Sequence, residues 1–221
     1  MKKNKNVENK KKSKKKILIT ILVVVLAILL ILFTFSLSKK DDTQKEKKVV
    51  DEIKKFSYTV SENDTKLFKQ KFKELKNVLN KKDVDNKKYA KLISELFVID
   101  FYTLDNKTSK NDVGGVQFIY TSYQSDFVDT ARDGMYKQVK SNLQEKRNQK
   151  LPTVSSIKVE EISEVAPNDE FKNEIFANVS DKEAYKIKLS WTYKNNDDFQ
   201  NEATLVVVKD GDKLSVAKLE E

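Results

Sequence analysis

The chain lacks cysteine and histidine altogether, and among its 221 residues it has only two arginines, two prolines and four glycines. Without cysteine it can form no disulfide and offers no thiol for a lipid anchor. An exported domain must then be held by an apolar core, which this length allows. The usual zinc sites, thiol nucleophiles and serine-histidine triads are excluded for want of the side chains. Arg132 and Arg147 are the sole guanidinium groups, which leaves few candidates for bidentate reading of phosphate or bases. Gly114-Gly115 lacks the spacing of a dinucleotide-binding or Walker loop. No metal and no cofactor are expected.

Lysine is abundant instead, and it is unevenly placed. Residues 1–50 carry 14 lysines against four acids, whereas residues 51–221 carry 29 basic and 30 acidic side chains. The formal net charge of +9 therefore belongs to the N-terminal end, and no nucleic-acid partner is expected for the near-neutral remainder. Nine lysines fall within residues 1–16, directly ahead of residues 17–37, a run of 21 with no charge, Gly or Pro. As a helix that run would span roughly 31 Å, about the hydrocarbon thickness of a bilayer. The far flank, residues 38–50, has five lysines against Asp41, Asp42 and Glu46, so the positive-inside rule places the N-terminus in the cytoplasm and the rest outside. A cleaved signal peptide is the rival reading, because Ser36-Leu37-Ser38 is a small-x-small triplet. The apolar stretch exceeds the ~7–15 residues such peptides use. The expected organisation is a cytoplasmic Lys-rich tail at 1–16, a transmembrane helix at 17–37, a tether at 38–49 and an extracytoplasmic α+β domain at 50–221. Much Lys and Asn beside little Arg fits an AT-rich bacterial genome.

Within the outer segment, residues 50–60 mix helical and alternating spacing, and a helix end running into a short extended piece is expected. After a cap-rich break, Leu67, Phe68, Phe72, Leu75, Val78 and Leu79 recur at helical spacing, which predicts a helix over 65–80. Asp85 caps a second helix, 85–104, whose broad apolar face predicts burial. A polar loop at 105–112 leads to Gly114-Gly115, and residues 116–120 suit a short strand or a helical turn. Phe127, Ala131, Met135, Val139 and Leu143 form an i+4 stripe, predicting a third helix across Gly134, which costs about 1 kcal/mol relative to Ala. Beyond Pro152 the period changes to two. Ile157 and Val159 alternate with polar residues until Glu160-Glu161 breaks the register as a bulge would. Tyr185, Ile187, Leu189, Trp191 and Tyr193 mark a strand with one apolar face. A turn at 195–198, a strand over 199–209, a hairpin turn at Asp210-Gly211 and a strand over 213–219 complete the set. About three helices packed on a curved antiparallel sheet of about four strands is the expected α+β fold.

This order of helices and strands resembles the cone-shaped, nuclear-transport-factor-2-like fold. With a single N-terminal anchor and a short cytoplasmic tail, it is similar to the bitopic assembly factors of type IV secretion and conjugation machines. An Asn-Pro-x-Gly turn found at a self-association surface in proteobacterial members is absent here. The resemblance implies a non-enzymatic scaffold that self-associates or touches other envelope proteins.

For chemistry, Asp100 stands between Phe97 and Phe101, where an apolar setting would raise its pKa and make it a general base. Cone-fold isomerases pair such an Asp with a tyrosine; Tyr102, Tyr120, Tyr123 and Tyr193 are the candidates. An Asp held by a nearby amide or lysine is the preferred, structural reading. Gly114 and Gly115 provide a turn or the close approach of a ligand or partner. Trp191 with Tyr185 and Tyr193 would either line the mouth of a cone and hold an apolar ligand, or form core. Two functions follow: a membrane-anchored extracytoplasmic scaffold, of the kind used in a conjugation or secretion apparatus, or a surface-displayed small-ligand-binding or isomerase-like cone domain.

Overall fold

The computed structural model describes residues 47–166, 184–194 and 199–220. The expected cytoplasmic tail, the apolar run at 17–37, most of the tether and the turn at 195–198 lie outside the described residues. No helix among the described residues is long and apolar enough to cross a membrane.

The fold opens with a two-stranded hairpin, β1 (Val49–Ile53) and β2 (Tyr58–Ser61), joined by a 3-10 turn. This corrects the helix end expected at 50–60. The mixed spacing arises because Ile53, Tyr58 and Val60 are buried and Phe56 in the connecting turn packs against them, while β1 starts exposed. Lys47 and Lys48, expected in the tether, already belong to the domain: Lys47 pairs with Asp112 at 2.7 Å, and Glu62 donates its N–H to the Lys48 carbonyl. The side chain of Gln117 stands in for a strand against β2, accepting the Thr59 N–H at 2.8 Å and donating to its carbonyl at 3.2 Å.

Helix α1 (Lys66–Leu79) starts where the Thr65 hydroxyl accepts the Phe68 N–H, and it buries Phe68, Phe72, Leu75 and Val78. Helix α2 (Asn86–Tyr102) is capped in the same way by Asp85. Such caps contribute about 1 kcal/mol each. Buried almost all round, α2 forms the axis of the domain, packing on α1 and on all four strands of the main sheet. It ends at Thr103, and the Pro152 carbonyl accepts the Leu104 N–H at 2.9 Å.

Helix α3 covers only Gln124–Asp133, not the whole stripe to Leu143. Gly134 takes a ψ of −108°, outside the helical range, and the chain continues in turns. Ala131, Tyr136 and Val139 are still buried, so the i+4 stripe reported which residues meet the core while overstating the helix. Residues 116–118 form a 3-10 turn, followed by one strand-like bridge at Ile119.

The main sheet is antiparallel in the order β3 (Val154–Val165), β4 (Ala184–Tyr193), β5 (Glu202–Asp210), β6 (Lys213–Glu220). The expected bulge is present, as the register shifts between Val159 and Glu161. Alternate residues Tyr185, Ile187, Leu189, Trp191 and Tyr193 turn to the core, and Leu205, Val207 and Val216 extend that face across β5 and β6. The hairpin turn falls at Gly211-Asp212, since Asp210 pairs with Lys213.

Ile187 is fully buried and Lys188 exposed. Ile187→Ala should lower stability by about 2–5 kcal/mol, and Lys188→Ala by less than about 0.5 kcal/mol, as read by urea denaturation. Equal costs would mean that β4 presents its faces differently.

Candidate functional site

The residues singled out in the sequence divide into three places. Asp100, Gly114 and Gly115 meet at the C-terminal turn of α2. Tyr102, Trp191 and Tyr193 lie in the core against the sheet. Tyr120 and Tyr123 stand at the edge of β6.

At the first place, Lys107 Nζ lies 2.5 Å from Asp100 Oδ1, and the Gly115 N–H donates to Oδ2 at 2.7 Å. The Lys107 side chain is fully buried. Gly114 sits so close to α2 that a Cβ would overlap the Asp100 carbonyl oxygen, and Gly115 has a φ of +78° with Phe97 against it. Both glycines therefore serve an intramolecular approach. Tyr136 closes the knot, accepting the Gly114 N–H at 3.0 Å and donating to the Phe101 carbonyl at 2.6 Å. Burial pushes its phenol pKa well up, so it remains a donor at neutral pH. Asp112 accepts from the Thr108 N–H and hydroxyl while pairing with Lys47. Arg147 donates to the carbonyls of Lys107 and Asp105, at 2.8 and 2.6 Å. The stretch expected as a polar loop at 105–112 thus buries Lys107, Thr108, Ser109 and Asp112.

Burial alone would raise the Asp100 carboxyl, but the Lys107 and Lys47 ammonium groups and the hydrogen bonds from Lys107 and Gly115 outweigh it and hold the pKa below the ordinary 3.8. This is the reverse of what a general base requires. Both oxygens are occupied by groups of the chain itself, and the arrangement is that of a structural ion pair.

The second place is packing. Tyr102 lies 4.6 Å from Trp191 between ring centroids and donates to Gln200 Oε1 at 2.9 Å. Tyr193 donates to the Gln200 carbonyl and meets Phe199 edge-on. Trp191 and Tyr185 are buried with them. The rings that a cone-shaped ligand site would expose at its mouth fill the interior here.

The third place has an opening. Residues 216–219 of β6 form one wall of an apolar groove of about 290 Å³, with Tyr123, Asp126, Phe127 and Thr130 opposite and the buried Phe97 and Ile119 also lining it. The segment before α3 forms this groove by crossing the β6 edge. Ile119 bridges Val216 in parallel fashion, and the Tyr120 N–H donates to the Val216 carbonyl at 2.8 Å. Beyond it, Tyr120 and Tyr123 pack together and against Ala184, Val206 and Val208, which the pleat of the sheet turns away from the main core. Thr121 fixes the crossing by donating its N–H and hydroxyl to Asp210.

Sequence reasoning missed Lys107, Asp112, Tyr136 and Arg147 in the knot, and Asp126, Phe127 and Thr130 in the groove. The rarity of arginine was the one available signal, since Arg147 is one of two. No protein-family model, curated protein or solved structure matches the chain.

Removing one partner of the buried pair, by Asp100→Asn or Lys107→Met, should cost about 3–5 kcal/mol, and the double variant less than the sum of the two. Because the folded pKa of Asp100 is depressed, its contribution is full above the ordinary aspartate value and fades as pH falls through the folded one. Asp100→Asn should therefore flatten the loss of stability below about pH 4. An unchanged acid limb in denaturation would show that the pair does not form.

Proposed function

We propose that the protein is a single-pass, membrane-anchored, extracytoplasmic scaffold or interaction module, with the groove between β6 and α3 as its contact surface. The uncharged run at 17–37 with its lysine-rich flank supports a retained anchor with the folded domain outside the cytoplasm. The observation that carries the reading is the groove: it is apolar, it lies beside the last strand of a sheet, and neither Asp100 nor Lys107 lines it. Asp100, tied to Lys107 and Gly115, and the filled interior around Trp191 favour binding over catalysis. Its finer form is a component of a conjugation or secretion apparatus, partnered by other envelope proteins or by copies of itself.

The absence of cysteine makes the topology directly testable. Val84 is 38% exposed, and a Val84→Cys variant should react with a membrane-impermeant maleimide in intact cells. Reaction only in inverted vesicles would contradict the orientation. Crosslinking of the full-length chain in membranes should yield a discrete adduct with itself or with another membrane protein. A monomer without adducts would contradict the scaffold role.

A further inference from the structure

The end strand of the sheet is partly covered, and the manner of its covering points to what occupies the remainder. In an antiparallel sheet, alternate residues of an end strand direct both main-chain groups outward. On β6 these are satisfied in turn. Leu214 donates its N–H to Tyr89 at 3.3 Å and accepts from the Tyr58 hydroxyl at 3.1 Å. Val216 is taken by the bridge to Ile119 and by the Tyr120 N–H. The register then shifts, leaving Ala217 as the extra residue before Lys218 pairs with Val206 and Leu219 with Leu205. Alternation past this bulge turns the main chain of Leu219 outward, and among the described residues no strand pairs with β6 there. The apolar groove runs along this same stretch.

Resting on the binding role proposed above, the geometry points to a β-augmentation site: a short extended segment of a partner polypeptide adds to β6 past Val216, beyond the isolated bridge at Ile119. Charge defines the segment further. Asp126 lines the groove and has no ion pair among the described residues. Its neighbours Asp129 and Asp133 both share Arg132, at 2.8 and 3.5 Å. On the opposite wall, Lys218 is paired with Glu220 at 2.5 Å. The groove is thus apolar with an unneutralised acid on its rim, and the fitting occupant alternates apolar side chains with lysine or arginine. A second copy is disfavoured, because a symmetric pairing of two β6 edges would bring the same acidic helix from each copy to one seam.

The test uses the full-length chain in phosphatidylcholine nanodiscs and a fluorescein-labelled hexapeptide alternating valine and lysine, followed by fluorescence anisotropy. Saturable binding is expected. It should weaken at least about tenfold, about 1.4 kcal/mol, when alternate amides of the peptide are N-methylated, because the strand then loses its donors. Asp126→Lys and Thr130→Trp, both at exposed positions, should weaken it comparably while the domain still unfolds cooperatively, the lysine lowering the melting temperature only slightly through the first turn of α3. The proposal is overturned by absence of binding, by equal binding of the methylated peptide, by equal binding to empty nanodiscs, or by indifference to both substitutions. A crosslinked homodimer that the peptide does not displace and that Thr130→Trp abolishes would assign the edge to a second copy and also overturn it. If the membrane adduct of the wild type survives Thr130→Trp, the groove assignment falls while the scaffold role stands; if the wild type forms no adduct, the scaffold role itself falls.

Discussion

The Asp100 carboxylate, largely covered at the last turn of the central helix and paired with the fully buried Lys107, is the constraint on which the rest of the domain depends. A buried charge is tolerated only when its oxygens are filled, and here they are filled by groups from one stretch of chain, Lys107 Nζ and the Gly115 N–H. Satisfying the charge therefore fixes where residues 103–115 run. From Gly115 the chain has one short 3-10 turn before Ile119 reaches Val216 and α3 follows. The path that leads to the groove beside β6 thus starts at the groups that neutralise this carboxylate, and Phe97, which lines the groove, packs against Gly115. Tyr136 and Arg147 support the same stretch from the C-terminal side through main-chain carbonyls and amides.

Much of this was legible in sequence where the determining forces are local. Thr65 and Asp85 announce α1 and α2 because a cap acts within three residues, and the apolar positions of both helices share one face or nearly all faces. The alternation of Tyr185 to Tyr193 and the break at Glu160-Glu161 marked β4 and the β3 bulge for the same reason. What was not legible depends on remote partners. Lys107 reads as an ordinary loop lysine unless Asp100 is known to face it, and Tyr136 extends a helical stripe unless its hydroxyl is known to reach Phe101. Residues 49–61 form a hairpin whose register is confirmed by Gln117, 58 positions away from Thr59. The groove combines α3 with a strand from the other end of the chain, and no pattern within either segment signals it.

The knot around Asp100 and the edge of β6 have opposite characters. Around Asp100 both carboxylate oxygens are filled by groups of the chain itself, as expected of a polar network that specifies one conformation. At the β6 edge, by contrast, matching proceeds along the strand through Leu214 and Val216, and among the described residues no strand continues it. Tyr120 and Tyr123 belong to this second place, where their role is to hold the crossing segment against the outer cluster of Ala184, Val206 and Val208. The binding role proposed above needs a rigid frame and a surface left to fill, and the division between knot and edge is consistent with both.

The dependence of the groove on the buried carboxylate is tested most directly by hydrogen exchange at the Tyr120 amide, which donates to Val216, in wild type and in Asp100→Asn at neutral pH. Exchange at Tyr120 should quicken by roughly tenfold or more in the variant while the Ile187 amide in β4 stays protected, as local opening of one segment would produce. Equal protection of Tyr120 in the two proteins would contradict the account.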